Sequence, residues 1–164
     1  MNEQAITGGF RQAYSKAVEI LRPFDGICPR DCNLCEERET LVLVPGESQL
    51  ISTTHTDAPD QQRRLLRILD ASDASDEACA LQCSTCNSCH IYSSRPVDCR
   101  SFPAVPDFDL KGNDVRVNVS RSYCPIADEL PAGFVEAVRC AWQVLSPFLT
   151  TEWKKRFNET PSNP

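Results

Sequence analysis

Apolar side chains recur at helical spacing only towards the two ends of this chain. Phe10, Tyr14, Ala17 and Leu21, flanked by Ile6, Ala13 and Val18, form one stripe at a period near 3.6. Thr7 is a candidate cap for that helix, and Pro23 stops it. Phe134, Val138, Ala141, Trp142 and Leu145 form a second stripe after Pro131. Ser146-Pro147 then reads as a cap and first-turn proline for a third, shorter helix carrying Leu149, Trp153 and Phe157. Stripes of this kind are most simply core faces that pack on one another.

Between them the pattern shortens. Thr40-Leu41-Val42-Leu43-Val44 is a β-prone run closed by Pro45-Gly46-Glu47, and residues 48–52 fit a helical turn or a returning strand equally. Asp57 and Asp60 bracket an expected helix start, with Leu65, Leu66, Ile68 and Leu69 as its buried face and Arg63, Arg64 and Arg67 on a solvated one. Asp107-Phe108-Asp109-Leu110, a turn over 111–114 and Val115-Arg116-Val117-Asn118-Val119 read as a β-hairpin. The fold predicted is α+β in a single small domain over residues 1–157. Helices at both ends pack around a loop-rich, cysteine-ligated metal core with short strands or a β-hairpin. A disordered tail is expected over 158–164.

The cysteines explain why the middle can be so poor in regular pattern. Of ten, nine fall between residues 28 and 124. Cys28, Cys32 and Cys35 read C-x3-C-x2-C, and Cys79, Cys83, Cys86 and Cys89 repeat that spacing and extend it by C-x2-C. Cys99 and Cys124 follow singly. Thiols this dense are disulfides, metal ligands or a redox relay. Met1 to Ile6 carries no basic segment before an apolar one, and no apolar run is long enough to span a bilayer, so a reducing cytoplasmic setting is expected. Metal binding is therefore the reading, with site formation supplying part of the missing apolar packing across residues 28–126. Three thiolates on short loop arcs plus one remote cysteine suit a [4Fe–4S] cluster, whereas zinc favours separated pairs. The spacing alone leaves iron–sulfur cluster and zinc both open.

Net charge narrows the partners. The chain carries −6 with its thiols counted neutral. Two four-thiolate sites, each holding a divalent ion, take that to about −10. Such an acidic protein is a poor general ligand for nucleic acid, no membrane association is indicated, and a protein partner is left unassigned.

One stretch is more specific than spacing. Cys89-His90-Ile91-Tyr92-Ser93-Ser94-Arg95-Pro96-Val97-Asp98-Cys99-Arg100-Ser101-Phe102-Pro103 resembles the C-x-I-Y-x-x-R-P-x-x-C-R-x-F-P signature of YkgJ-type cysteine-cluster proteins, zinc- or iron-chelating domains. The resemblance extends over about residues 28 to 126. It takes in the first cysteine triplet, the Leu41 to Val44 run with its Pro-Gly-Glu ending, Cys79-Ala80-Leu81 and Cys124-Pro125. It implies Cys28, Cys32, Cys35, Cys79, Cys89, Cys99 and Cys124 as metal ligands. The family's first cluster usually ends in a cysteine doublet; here its first gap is one residue longer and Glu36 stands where the doublet's second cysteine belongs. Seven thiolates leave a second four-ligand site one short, and Cys83 or Cys86 is available as the eighth.

Other residues take plainer roles. Cys140, on the flank of a helical stripe, reads as a small buried hydrophobe. His90 adjoins Cys89, and neighbouring residues rarely aim both side chains at one ion; His55 reads as exposed. Arg95 and Arg100 flank Cys99, where they offset thiolate charge and donate hydrogen bonds, or else Arg95 simply holds the Arg-Pro turn. Tyr92 and Phe102 shield the site from water. The function expected is metal binding at one or two iron–sulfur ([4Fe–4S]-type) or zinc sites, in a cytosolic metal-handling, redox or maturation role, without catalytic activity of its own. Two alternatives stand beside it. One is a cluster-dependent enzyme akin to radical S-adenosylmethionine enzymes, which share the C-x3-C-x2-C spacing, or to lysine methylases carrying such a domain. The other is a zinc-stabilised interaction module.

Overall fold

The computed structural model describes residues 8–27, 40–47, 63–69, 77–83, 95–121 and 124–159; for Thr40, Leu41 and the segments 63–69 and 77–83 it describes the backbone alone. The first helix, α1 (Gly8–Leu21), buries Phe10, Ala13, Ala17 and Leu21, the stripe read from the sequence, and ends in a 3-10 turn at Pro23. Its expected cap, Thr7, lies outside the described residues. Helix α3 (Phe134–Leu145) buries Phe134, Val138, Ala141, Trp142 and Leu145, again as patterned. The two helices pack together, and Phe24 meets Phe134 edge-on at 5.4 Å.

The third helix starts later than its Ser-Pro signal. Ser146–Phe148 is a 3-10 turn, Leu149 is extended, and helix α4 (Thr151–Glu159) begins where Thr150 Oγ1 accepts the Trp153 N–H at 3.1 Å. Two capping signals compete within five residues, and the second wins because it sets both Trp153 and Phe157 into the core. The helix also continues into the expected tail: Asn158 and Glu159 are helical, while 160–164 lie outside the described residues. Asn158 accepts the Phe108 N–H (3.0 Å) and donates to the Phe108 carbonyl (2.8 Å), as a neighbouring strand would.

That strand belongs to the hairpin. β4 (Ala104–Phe108) and β5 (Val115–Val119) pair antiparallel from Ala104 opposite Val119 to Phe108 opposite Val115, so β4 begins three residues before the predicted Asp107. Phe108 meets Trp142, Trp153 and Phe157 edge-on at 5.4 to 5.7 Å, which locks the hairpin between α3 and α4. Ala104, Phe108 and Val115, in a stretch expected to depend on metal, are thus part of the apolar core.

The middle departs furthest from the pattern. Arg63–Leu69, read as a helix, is strand β2, the centre of a three-stranded sheet. It runs parallel to β1 (Thr40–Val42) and antiparallel to β3 (Glu77–Cys83), with a register shift at Arg64/Leu65. Leu-Leu-x-Ile-Leu fits one helical face as readily as a strand, and only the two non-local partners decide. Segment 48–52 lies outside the described residues. The class remains α+β, with helices at both ends.

Replacing Phe108 with Ala removes the ring on which both tryptophans and Phe157 converge. Chemical denaturation should show a loss of about 3–5 kcal/mol. A loss below about 1 kcal/mol would contradict this placement of the hairpin.

Candidate metal centre

Helix α2 (Val97–Ser101) carries Cys99 and is only five residues long. A helix that short does not hold itself, so its order comes from what its residues touch. The Val97 N–H donates to Glu47 Oε1 at 2.8 Å. Asp98 Oδ2 accepts the Val42 N–H at 3.4 Å. Ser101 Oγ donates to the Val97 carbonyl (2.7 Å) and accepts the Trp142 indole N–H (2.8 Å). Val97, Asp98, Arg100 and Ser101 are all buried. Cys99 is the one residue of the five that stays half-exposed.

Glu47 is the centre of this arrangement. Gly46, at φ +82°, makes the tight turn after Val44 that a side chain would strain, and brings Glu47 back under the strand. Its carboxylate is wholly buried. Oε1 accepts the Tyr14 hydroxyl (2.7 Å) besides Val97, and Oε2 accepts the Val44 N–H (2.9 Å). Burial pushes the Glu47 pKa up to about 7, against the opposite pull of its three donors. The Tyr14 hydroxyl is driven well above its ordinary value, first by burial and then by the Glu47 charge. One carboxylate thus joins α1, the end of β1 and the start of α2. Trp153 Nε1 donates to the Leu43 carbonyl at 3.3 Å and ties α4 to the same segment.

The fourth anchor is ionic. Arg100 Nη1 donates to both Asp25 oxygens, at 2.7 and 2.9 Å, and its Nε donates to the Arg95 carbonyl at 2.9 Å. Arg95 Nη2 reaches Asp25 Oδ1 at 3.2 Å. Asp25 thus holds two guanidiniums, Arg95 and Arg100, on either side of Cys99 in sequence. Arg95 therefore joins the cluster as well as leading into the turn at Pro96. Phe102 is half-buried and closes the end of α2, its N–H donating to the Asp98 carbonyl.

The expected ligands are distributed unevenly. Cys99 and Cys124 are both half-buried. Their segments leave the same end of the hairpin, where the Ser120 N–H donates to the Pro103 carbonyl at 2.9 Å. Cys79 and Cys83 sit on β3 opposite Leu66 and Arg63, not on a loop as expected. Extended backbone separates their Cα atoms by roughly 13 Å, so the short-arc convergence expected of this pair does not apply. Cys28, Cys32, Cys35, Cys86 and Cys89, with Glu36, His55, His90 and Tyr92, lie outside the described residues. Cys140 stands apart on α3, half-buried where a buried hydrophobe was expected, its Sγ donating to Glu136 Oε1 at 3.4 Å, with burial and then that carboxylate raising its pKa. Among the described residues no three Cys, His, Asp or Glu side chains converge as a ligand set. What the described part supplies is one half-buried thiol on a short helix held by its neighbours' contacts. That donor suits a soft metal.

Sequence reasoning missed Asp25, Glu47 and the Ser101–Trp142 pair. Asp25 lies between the end of the first helical stripe and the first cysteine, and Tyr14 reads only as part of that stripe, although Glu47 falls within the family-like stretch. Replacing Glu47 with Ala orphans two backbone donors and the tyrosine hydroxyl. Denaturation should show a loss of about 3–5 kcal/mol, and a near-neutral effect would show that the buried carboxylate does not hold the elements together.

The comparisons with known proteins agree with this donor chemistry. Residues 27–125, well over half the chain, match the family model CxxCxxCC, described as a "putative zinc- or iron-chelating domain". No curated protein and no solved structure matches the chain. The matched span runs from the residue before Cys28 to the residue after Cys124, and so encloses all nine clustered cysteines. The chain belongs to the CxxCxxCC family of zinc- or iron-chelating domains.

Proposed function

We propose that this protein holds zinc or an iron–sulfur cluster in two centres of four cysteine thiolates each, and serves metal handling, electron transfer or the maturation of a protein partner in the cytosol. The observation that carries the reading is Cys99, which the protein's own contacts hold half-exposed before any metal is considered. Zinc would supply a fixed tetrahedral crosslink, and a [4Fe–4S] cluster would supply one-electron transfer. The thiolates are Cys28, Cys32, Cys35, Cys79, Cys89, Cys99 and Cys124, with Cys86 as the eighth. The strand spacing supports Cys86 over Cys83, since Cys83 is too far along β3 from Cys79 to share an ion with it. Cys86 lies three residues past the end of that strand and keeps the C-x2-C spacing to Cys89.

Anaerobic purification followed by metal analysis and a visible spectrum is the first test. Iron with acid-labile sulfide and broad visible bands identifies clusters, and colourless stoichiometric zinc identifies zinc sites. Serine at any of the eight named cysteines should lower bound metal sharply, because a neutral hydroxyl replaces a soft thiolate poorly. Cys83→Ser and Cys140→Ala should keep full metal, the latter at a stability cost of about 1 kcal/mol. Loss of metal in Cys140→Ala, or full metal in Cys86→Ser, contradicts the assignment.

Metal removal gives a second test. Helix α2, the hairpin and the terminal helices rest on apolar packing and on bonds within the protein. Their amides should stay protected from hydrogen exchange after chelation. If residues 97–119 lose protection together with the cysteine segments, the scaffold depends on the metal, contrary to this reading.

A further inference from the structure

The Asp25–Arg100 pair has a place in the molecule that core stability does not explain. The apolar cluster already holds α1 against α3 and the hairpin. The pair lies at the edge of that packing, with the Arg100 side chain 5% exposed and the Asp25 side chain 35% exposed. Taking the guanidinium out of water while its carboxylate partner stays partly solvated returns little net stability, because desolvation offsets the attraction. A guanidinium does fix geometry when its rigidly linked nitrogens are held at two points, and here Nη1 meets both Asp25 oxygens while Nε is held by the Arg95 carbonyl. Arg95 reinforces the arrangement, since its Nη2 also donates to Asp25 Oδ1 and its carbonyl holds Arg100 Nε.

What the contact joins is two cysteine-bearing stretches. Asp25 lies three residues before Cys28, and Arg100 is the neighbour of Cys99. Between Asp25 and the first cysteine the backbone turns at Gly26, whose φ of +90° strains any other residue. The Ile27 N–H closes that turn on the Phe24 carbonyl. The chain that enters the first cysteine cluster is therefore fixed, up to its last residue, relative to the helix that carries Cys99.

We propose that Asp25 is a positioning residue for metal binding: by gripping Arg100 it sets the entry to the first cysteine cluster in register with Cys99. This rests on the thiolate-metal reading above. Asp25 and Arg100 act as one device and do not themselves touch the metal.

The test is a zinc titration of the full-length protein, stripped of metal and fully reduced, against a competing chelator. It compares wild type, Asp25→Asn, Asp25→Glu, Arg100→Lys and Asp25→Asn/Arg100→Lys, with Glu136→Gln as a control in a surface ion pair elsewhere. Near-ultraviolet circular dichroism of the packed tryptophans reports whether each variant keeps its core. Asp25→Asn and Arg100→Lys should each weaken zinc binding about tenfold or more with the zinc stoichiometry and tryptophan signal unchanged. Lysine keeps the charge but has a single nitrogen, which cannot hold both Asp25 and the Arg95 carbonyl. The double variant should be no weaker than the singles, since both remove the same contact. Glu136→Gln should bind as wild type does. Should Asp25→Asn unfold, Asp25→Glu carries the test: it keeps the charge, lengthens the arm, and should still weaken binding. Affinities within twofold of wild type in folded variants, or losses that multiply in the double variant, overturn the proposal and leave thiolate binding intact. A wild-type protein that takes up no zinc or iron overturns both.

Discussion

The structure depends on a buried carboxylate that forms no ion pair among the described residues. Glu47 is wholly enclosed, and its oxygens are met by a tyrosine hydroxyl and two backbone N–H groups from three different parts of the chain. Burying such a group is costly, and only well-placed donors make it tolerable. Those donors must then be where they are. The first helix, the end of β1 and the start of α2 have one relative arrangement that serves Glu47, and it is the arrangement that presents Cys99.

Around that point the packing divides into two kinds. Aromatic rings from the hairpin and the last two helices form a dry core that resists rearrangement because any shift opens a void. Polar contacts gather on the side of the molecule where α2 lies: Glu47 beneath its first turn, Trp142 on Ser101, Asp25 on Arg100. The apolar part supplies stability and the polar part supplies position. A metal ligand needs the second as much as the first, since thiolates held out of place bind weakly whatever their number.

Much of this was legible in the residues, but unevenly. The helical stripes of Phe10 to Leu21 and Phe134 to Leu145 lie where the pattern puts them, because a long period-3.6 repeat has few other ways to bury itself. The hairpin around residues 111–114 was equally plain. Arg63–Leu69 was misread because its run of leucines satisfies two periods, and the strands that settle the matter come from distant sequence. Helix α4 starts late because Thr150 caps it better than Ser146-Pro147. The cysteine signature pointed to Cys99, yet nothing in its neighbourhood pointed to Asp25, 75 residues away in sequence, as the partner of Arg100. Long-range polar partners leave no periodic trace.

The claim on which the rest turns is that sulfur alone surrounds the metal. X-ray absorption at the metal edge of the anaerobically purified protein reads that shell directly. The account predicts an all-sulfur shell of about four ligands, near 2.3 Å if the metal is zinc. A first shell dominated by nitrogen or oxygen would contradict it.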